Sequence, residues 1–193
     1  MSEVRRTAPI LFAAAGQIVH EAPEARVVVV AAGSVAADVR AMAAAQSYPV
    51  LVVDEEPHKD NAFAAATAAL AVSGTVTTEV ALQGAPVVVG YRLGWVTWAL
   101  ARAFLYRSPF ATLMNVAAGR EAAPEFLQTR CTPENLARAA LPLITDPAAR
   151  ATQVAAQNAA LASMGRGGAP AAEIAAEAVL SQLRAQPRAE SGT

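Results

Sequence analysis

Four short apolar runs constrain this chain more than any other feature: 26–32, 49–54, 69–73 and 86–91. The first reads Arg-Val-Val-Val-Val-Ala-Ala, a continuous β-branched run typical of a strand buried on both faces. Each run is followed by turn residues and then by a segment with helical character. Strands alternating with helices at this spacing form βαβ units, which build a parallel sheet with right-handed crossovers. The expected fold class is therefore α/β.

The remaining elements follow from periodicity and punctuation. Residues 3–20 predict an amphipathic helix, which Pro9 kinks or delays. Helices are expected over 35–46 and, after a polar stretch through Lys59 and Asp60, over a short segment ending near Thr67. An aromatic helix is expected over 95–106, and a short strand over 111–117. Pro133 opens a helix to about Ile144, and Asp146 caps another to about Ser163. A last helix is expected over 171–183. Residues 1–184 read as one domain and 185–193 as a disordered tail.

Composition excludes several classes. A formal net charge of −1 gives no basic excess, so nucleic acid is not an expected partner. Cys131 is the single cysteine; it fits a reducing compartment and a packing role. The start of the chain lacks a signal-peptide pattern. Residues 61–78 lack charge, but Asn61, Thr67, Ser73, Thr75, Thr77 and Thr78 argue against a lipid-facing span. His20 and His58 have no second ligand at metal spacing, so no metal site is expected. The full Gly-x-Gly-x-x-Gly spacing after Gly33 is absent, as is a Gly-x-Ser-x-Gly elbow, which disfavours nicotinamide binding and serine hydrolysis. The helix over 95–106 admits two readings, a core helix under the sheet rim or an interfacial membrane helix flanked by Arg92 and Arg102.

In open α/β sheets, ligands bind outside the carboxyl ends of the strands. That rim carries Gly33-Ser34, Asp54-Glu55-Glu56, Ser73-Gly74-Thr75, Tyr91-Arg92 and residues 115–121. A phosphorylated, sugar-bearing ligand suits this mix. The turn Ser73-Gly74-Thr75 opens a helix whose N-terminus carries roughly half a positive charge, a ready anion site. Gly74 leaves room for a phosphate, and Ser73, Thr75, Thr77 and Thr78 supply hydroxyls. Thr75 can also serve as N-cap. Glu79, one turn into the helix, can accept hydrogen bonds from sugar hydroxyls. The alternative is a capped helix, with Glu79 in a capping box and no ligand.

Three ordered motifs together resemble the lipid-A-disaccharide synthase family. They are Val72-Ser73-Gly74-Thr75 with Glu79; Pro86-Val87-Val88-Val89-Gly90-Tyr91-Arg92; and Asn115-Val116-Ala117-Ala118-Gly119-Arg120-Glu121 with Pro124-Glu125-Phe126-Leu127-Gln128. The likeness runs from about residue 2 to 183 and covers only that family's C-terminal half. It implies a Rossmann-like parallel sheet, the C-terminal, UDP-binding domain of a GT-B-type glycosyltransferase, with its first strand missing. In the order 3-2-1-4-5-6 that strand is central, so two strand edges would be exposed in mid-sheet.

The reaction implied is transfer of 2,3-diacylglucosamine from UDP-2,3-diacylglucosamine to 2,3-diacylglucosamine 1-phosphate, with inversion, releasing UDP and using no metal or cofactor. By the same resemblance Ser73, Gly74 and Thr75 face the phosphates and Glu79 the ribose. Tyr91, Arg92, Asn115, Arg120 and Glu121 match positions at the cleft between domains. The catalytic carboxylate and the acceptor site belong to the family's N-terminal half, so no catalytic residue is expected in this chain and it should be inactive alone. The expected partners are the UDP-sugar, the lipid acceptor, the missing half in trans and the inner-membrane surface, which the enzyme would approach peripherally from the cytoplasm. The alternatives are a non-catalytic UDP-sugar-binding remnant and an interfacial membrane module.

Overall fold

A computed structural model describes residues 2–72, 74–92, 94, 109–167, 176, 177 and 179–181. The expected aromatic helix over 95–106, the tail 185–193 and most of 171–183 lie outside the described residues. In chain order the elements are α1 (Ser2–Glu21), β1 (Val27–Val30), α2 (Ala36–Ala44), β2 (Val50–Val53), α3 (Glu56–Ala64), β3 (Ala69–Ala71), α4 (Thr75–Leu82) and β4 (Val87–Tyr91). After these come α5 (Leu113–Ala118), β5 (Glu125–Leu127), α6 (Pro133–Thr145) and α7 (Pro147–Ser163).

All strand pairings are parallel, and they form two sheets, β1-β2 and β3-β4-β5. This is the pattern a 3-2-1-4-5-6 sheet leaves when its first strand is lacking: strands 2 and 3 pair, and strands 4, 5 and 6 pair. No backbone ladder joins β1 to β3 among the described residues. Helices hold the two sheets together instead. On one face α1 lays Phe12 over Val29, Val50 and Val52, and Ala14 and Ile18 over Leu70 and Val88. On the other face Phe63 of α3 gathers Val30 with Ala71, Val87 and Val89.

β4 is the strand buried on both faces; Val87, Val88 and Val89 are fully buried. β1 is not, contrary to its sequence. Val28 is 44% exposed and its register partner Leu51 is 62% exposed. α1 and α2 cover one face of β1-β2, whereas on the other the nine-residue α3 reaches Val30 and leaves the starts of both strands bare.

Other local expectations need correction. α1 runs unbroken through Pro9, because packing against both sheets outweighs one lost backbone hydrogen bond. α3 starts at Glu56 and includes Lys59 and Asp60, the polar stretch expected to precede it. Pro57 in its first turn is a helix-start signal. Residues 113–118 form a helix rather than a strand, ended by Gly119 in the left-handed conformation (φ 63°). β5 has only three residues, too short for alternation to reveal it. Asp146 caps α7 as expected, accepting from Ala148 N at 2.8 Å; α6 opens at Pro133 as expected, and its cap is Thr132, which accepts from Asn135 N at 3.3 Å.

β5 pairs with β4 only from Val89 onward, so the start of β4 lacks a strand partner on that side. Gln157 of α7 fills the gap, accepting from Val87 N (2.9 Å) and donating to Ala85 O (3.1 Å), while Gln153 donates to Val87 O (2.8 Å). These bonds fix the central strand against α7 and thereby fix its rim end.

Candidate nucleotide-sugar site

The rim at the carboxyl ends of β3, β4 and β5 carries the candidate residues. At the end of β3, Gly74 precedes α4 with φ 162° and ψ −167°, an extended backbone any residue can adopt. A Cβ built there would meet nothing within 4 Å, so the space in front of the turn is open. No side chain caps α4, unlike α6 and α7, which leaves its first-turn amides without a side-chain acceptor. An uncapped helix end with open space before it can take an anion. Ser73, the first residue of the turn, lies outside the described residues.

Gly74, rather than Thr75, is the N-cap; Thr75 is the exposed first residue of the helix. Thr77 is buried and its hydroxyl donates back to Gly74 O at 2.7 Å, so it shapes the turn and is not available to a ligand. Glu79 lies two positions beyond the capping-box site, and Lys59 Nζ of α3 stands 2.7 Å from its Oε2. The capping-box alternative is thereby overturned. The helix ends in a Schellman motif: Gly84 (φ 88°) donates to Ala81 O at 3.0 Å and Ala85 N to Val80 O at 3.3 Å.

At the end of β4, the glycine of Gly-Tyr-Arg serves packing. A Cβ on Gly90 would stand 3.0 Å from Leu136 Cδ2 and 3.2 Å from Cys131 Sγ. Tyr91 is half-buried, and Arg92 Nε donates to Gln128 O at 3.1 Å, tying the ends of β4 and β5 together. Burial raises the pKa of the Cys131 thiol above its ordinary value, offset in part by the Arg92 guanidinium and a backbone hydrogen bond from Tyr91. This buried thiol is the packing cysteine its sequence predicts.

The third motif separates into supports and displayed groups. Asn115 is fully buried and its amide is saturated. Oδ1 accepts from Ala122 N (2.7 Å) and Ala123 N (2.9 Å), while Nδ2 donates to Ala123 O (2.8 Å) and Glu125 Oε1 (2.7 Å). Glu125, also buried, accepts from Ala111 N and Thr112 N, both at 2.8 Å, and from the Thr112 hydroxyl. Asn115 thus holds the loop, and Gly119 turns it so that Arg120 and Glu121 stand exposed. Glu121 lines a cavity of about 240 Å³ with Phe110, Leu127, Arg130 and the buried Glu125.

Two groups therefore lie on adjacent strand ends. One is Gly74, Thr75 and Glu79 after β3; the other is Arg92 and Glu121 around β4 and β5. Of the rim carboxylates, Asp54 is bound to Arg40 at 2.5 Å. Lys59 and Arg130 carry no sequence signal of their own; Glu125 and Gln128 lie inside a quoted motif, but the burial of the first and the backbone of the second are not visible there. Among the described residues no cluster of His, Cys, Asp and Glu could hold a metal ion, and no helix is long and apolar enough to cross a membrane.

The parallel α/β fold agrees with what the chain resembles across its length. A family model described as lipid-A-disaccharide synthetase matches residues 1–179. The chain is 37% identical over 182 residues to the lipid-A-disaccharide synthase of Rhodospirillum centenum, covering 94% of this chain and 45% of that protein. It is 39% identical over 189 residues to that of Ruegeria pomeroyi, with 94% and 46% covered, and 40% identical over 163 residues to that of Paramagnetospirillum magneticum, with 84% and 42% covered. The chain spans about half the length of the curated relatives it matches. By this measure the chain belongs to the lipid-A-disaccharide synthetase family.

Proposed function

We infer that this chain is the donor-binding half of an inverting glycosyltransferase that makes the lipid A disaccharide. The donor is UDP-2,3-diacylglucosamine and the acceptor 2,3-diacylglucosamine 1-phosphate. The acceptor hydroxyl attacks the donor's anomeric carbon, the bond to UDP breaks, and a general base takes the hydroxyl proton. The base and the acceptor site belong to the half of the relatives that these residues do not span. Here the uncapped start of α4 receives the diphosphate, Glu79 the ribose, and Arg92, Arg120 and Glu121 face the cleft. Backbone amides and arginines neutralise the leaving diphosphate, so the reaction needs no metal. The acyl chains of both sugars place the enzyme at the inner-membrane surface, on the cytoplasmic side.

The observation that carries this reading is the open, uncapped turn at Gly74 in a chain of this family. UDP should raise the thermal stability of the chain, and UMP should raise it less. Gly74→Val keeps an accessible backbone but fills the space in front of α4, and should remove the effect. Equal shifts for wild type and variant would count against the site.

A further inference from the structure

At Gln128 two irregularities coincide. Its φ is 53°, in the left-handed region, and it is the one non-glycine with positive φ among the described residues. Its side-chain Nε2 is also closed off from solvent and has no hydrogen-bond partner. Both are unfavourable, and chains retain such features mainly at functional positions. Two other buried side-chain groups lack partners, the hydroxyls of Thr7 and Thr78. Each sits on a helix, where rotation brings a hydroxyl to a carbonyl one turn back. An amide at a strand end has no such recourse.

The surroundings fix Gln128 in this state. Leu127 pairs with Tyr91, so Gln128 stands at the carboxyl end of β5, on the rim. Its carbonyl accepts from Arg92 Nε and from Cys131 N, each at 3.1 Å, and these two bonds keep the backbone from relaxing. Leu127 and Arg130, on either side in sequence, line the cavity that Glu121 and Phe110 share. The Arg130 guanidinium lies 5.6 Å from the centre of the Phe126 ring.

We propose that Gln128 contacts the substrate: its side-chain amide donates to an anionic oxygen of the diphosphate in a nucleoside-diphosphate sugar. This rests on the nucleotide-sugar reading above. An unpaired N–H needs an acceptor, and with the Arg92 guanidinium bound to the Gln128 carbonyl and Arg130 two residues along the chain, an anionic phosphate oxygen is the acceptor the local charge favours. The glutamine side chain turns on soft torsions, so ligand entry can recruit its buried amide. Arg92 acts here as a positioning residue, through the carbonyl it binds.

Gln128→Gly removes the amide and relieves the left-handed backbone; Gln128→Leu removes the amide and keeps the bulk. In melts without ligand, Gln128→Gly should be at least as stable as wild type. By calorimetry both variants should bind UDP about tenfold or more weakly. Uridine affinity should not change, since uridine has no diphosphate. If Gln128→Gly fails to fold, Gln128→Leu carries the comparison. Wild-type UDP affinity in the folded variants would overturn the proposal, and parallel losses for UDP and uridine would overturn the diphosphate assignment. Failure of the wild-type chain to bind either ligand would overturn the nucleotide reading and the proposal with it.

Discussion

Lys59 Nζ lies 2.7 Å from Glu79 Oε2, joining α3 to α4 beside the Gly74 turn. The pair orients the carboxylate, which the proposed function assigns to a ribose hydroxyl. Both side chains are partly exposed, 26% and 39%, so the ion pair contributes less than about 1 kcal/mol to stability. Glu79→Ala should therefore change stability little. It should weaken UDP binding by about 1.5–3 kcal/mol, the range for hydrogen bonds to a charged group. Calorimetric titration of folded variant decides the matter. An unchanged UDP affinity with a lowered melting temperature would reduce Glu79 to a helix–helix tie.

Asn115 and its two exposed neighbours should separate cleanly. Asn115→Leu leaves the buried amides of Ala122 and Ala123 and the carbonyl of Ala123 without their partner. Unsatisfied buried groups make this a loss of roughly 3–4 kcal/mol in urea unfolding. Arg120→Ala and Glu121→Ala change exposed side chains and should stay within about 0.5 kcal/mol of wild type. Their effects should appear only in ligand binding or turnover. An Asn115→Leu variant as stable as wild type would contradict the buttressing role.

Legibility from sequence differs sharply between these parts. The β4 segment is legible as a strand because consecutive valines favour the pleated backbone, and its three valines are fully buried. The split sheet is legible from the family motifs, since they fix which strands are present. The bare face at Val28 and Leu51 is not, because β-branched composition reports strand propensity and says nothing of what covers the strand. α3 is expected as a short helix, but its start escapes because Glu56–Ala64 mixes charges with alanines and has no apolar stripe; the start signal lies in Pro57 instead. Within the site, Gly74 and Glu79 stand out by position after a strand. Asn115 falls in the strand expected over 111–117 and matches a cleft position by resemblance, and only the fold shows that its amide faces inward. Gln128 closes a quoted motif, but neither its left-handed backbone nor its unpaired amide is written in the sequence.

The buried Cys131 thiol predicts alkaline sensitivity. Its pKa is raised in the fold, chiefly by burial, from an ordinary value of 9.0. The native state therefore holds the proton where the unfolded chain releases it. Stability from this group is full below pH 9.0 and is lost as pH rises through the folded value. Tyr48, raised by burial and donating to Phe12 O at 2.6 Å, contributes in the same direction. Melting temperatures of wild type and Cys131→Ala, compared from pH 8 to 10.5, isolate the cysteine. The variant should show the shallower alkaline decline. Identical slopes would mean that the thiol does not titrate differently on unfolding.

A polypeptide of these 193 residues, assayed by itself, should release no UDP from UDP-2,3-diacylglucosamine in the presence of acceptor. Inverting transfer needs a base beside the acceptor hydroxyl. The carboxylates here are otherwise engaged or unaided: Asp54 with Arg40, Glu79 with Lys59, Glu125 with backbone amides, and Glu121 on an exposed loop. Closing two substrates into one cleft accounts for about 7–11 kcal/mol of barrier lowering, which half a cleft cannot supply. Supplying the relatives' other half in trans should restore turnover, and the fold says how. β1 and β3 belong to two parallel sheets with no ladder between them among the described residues, and in a 3-2-1-4-5-6 order the strand supplied by the other half would pair with both. α1 and α3 already pack across that junction, so the strand has to enter while the chain folds. Co-expression should then outperform mixing of folded halves. Activity of the purified chain alone, abolished by Glu79→Ala so that contamination is excluded, would place the base on this half instead.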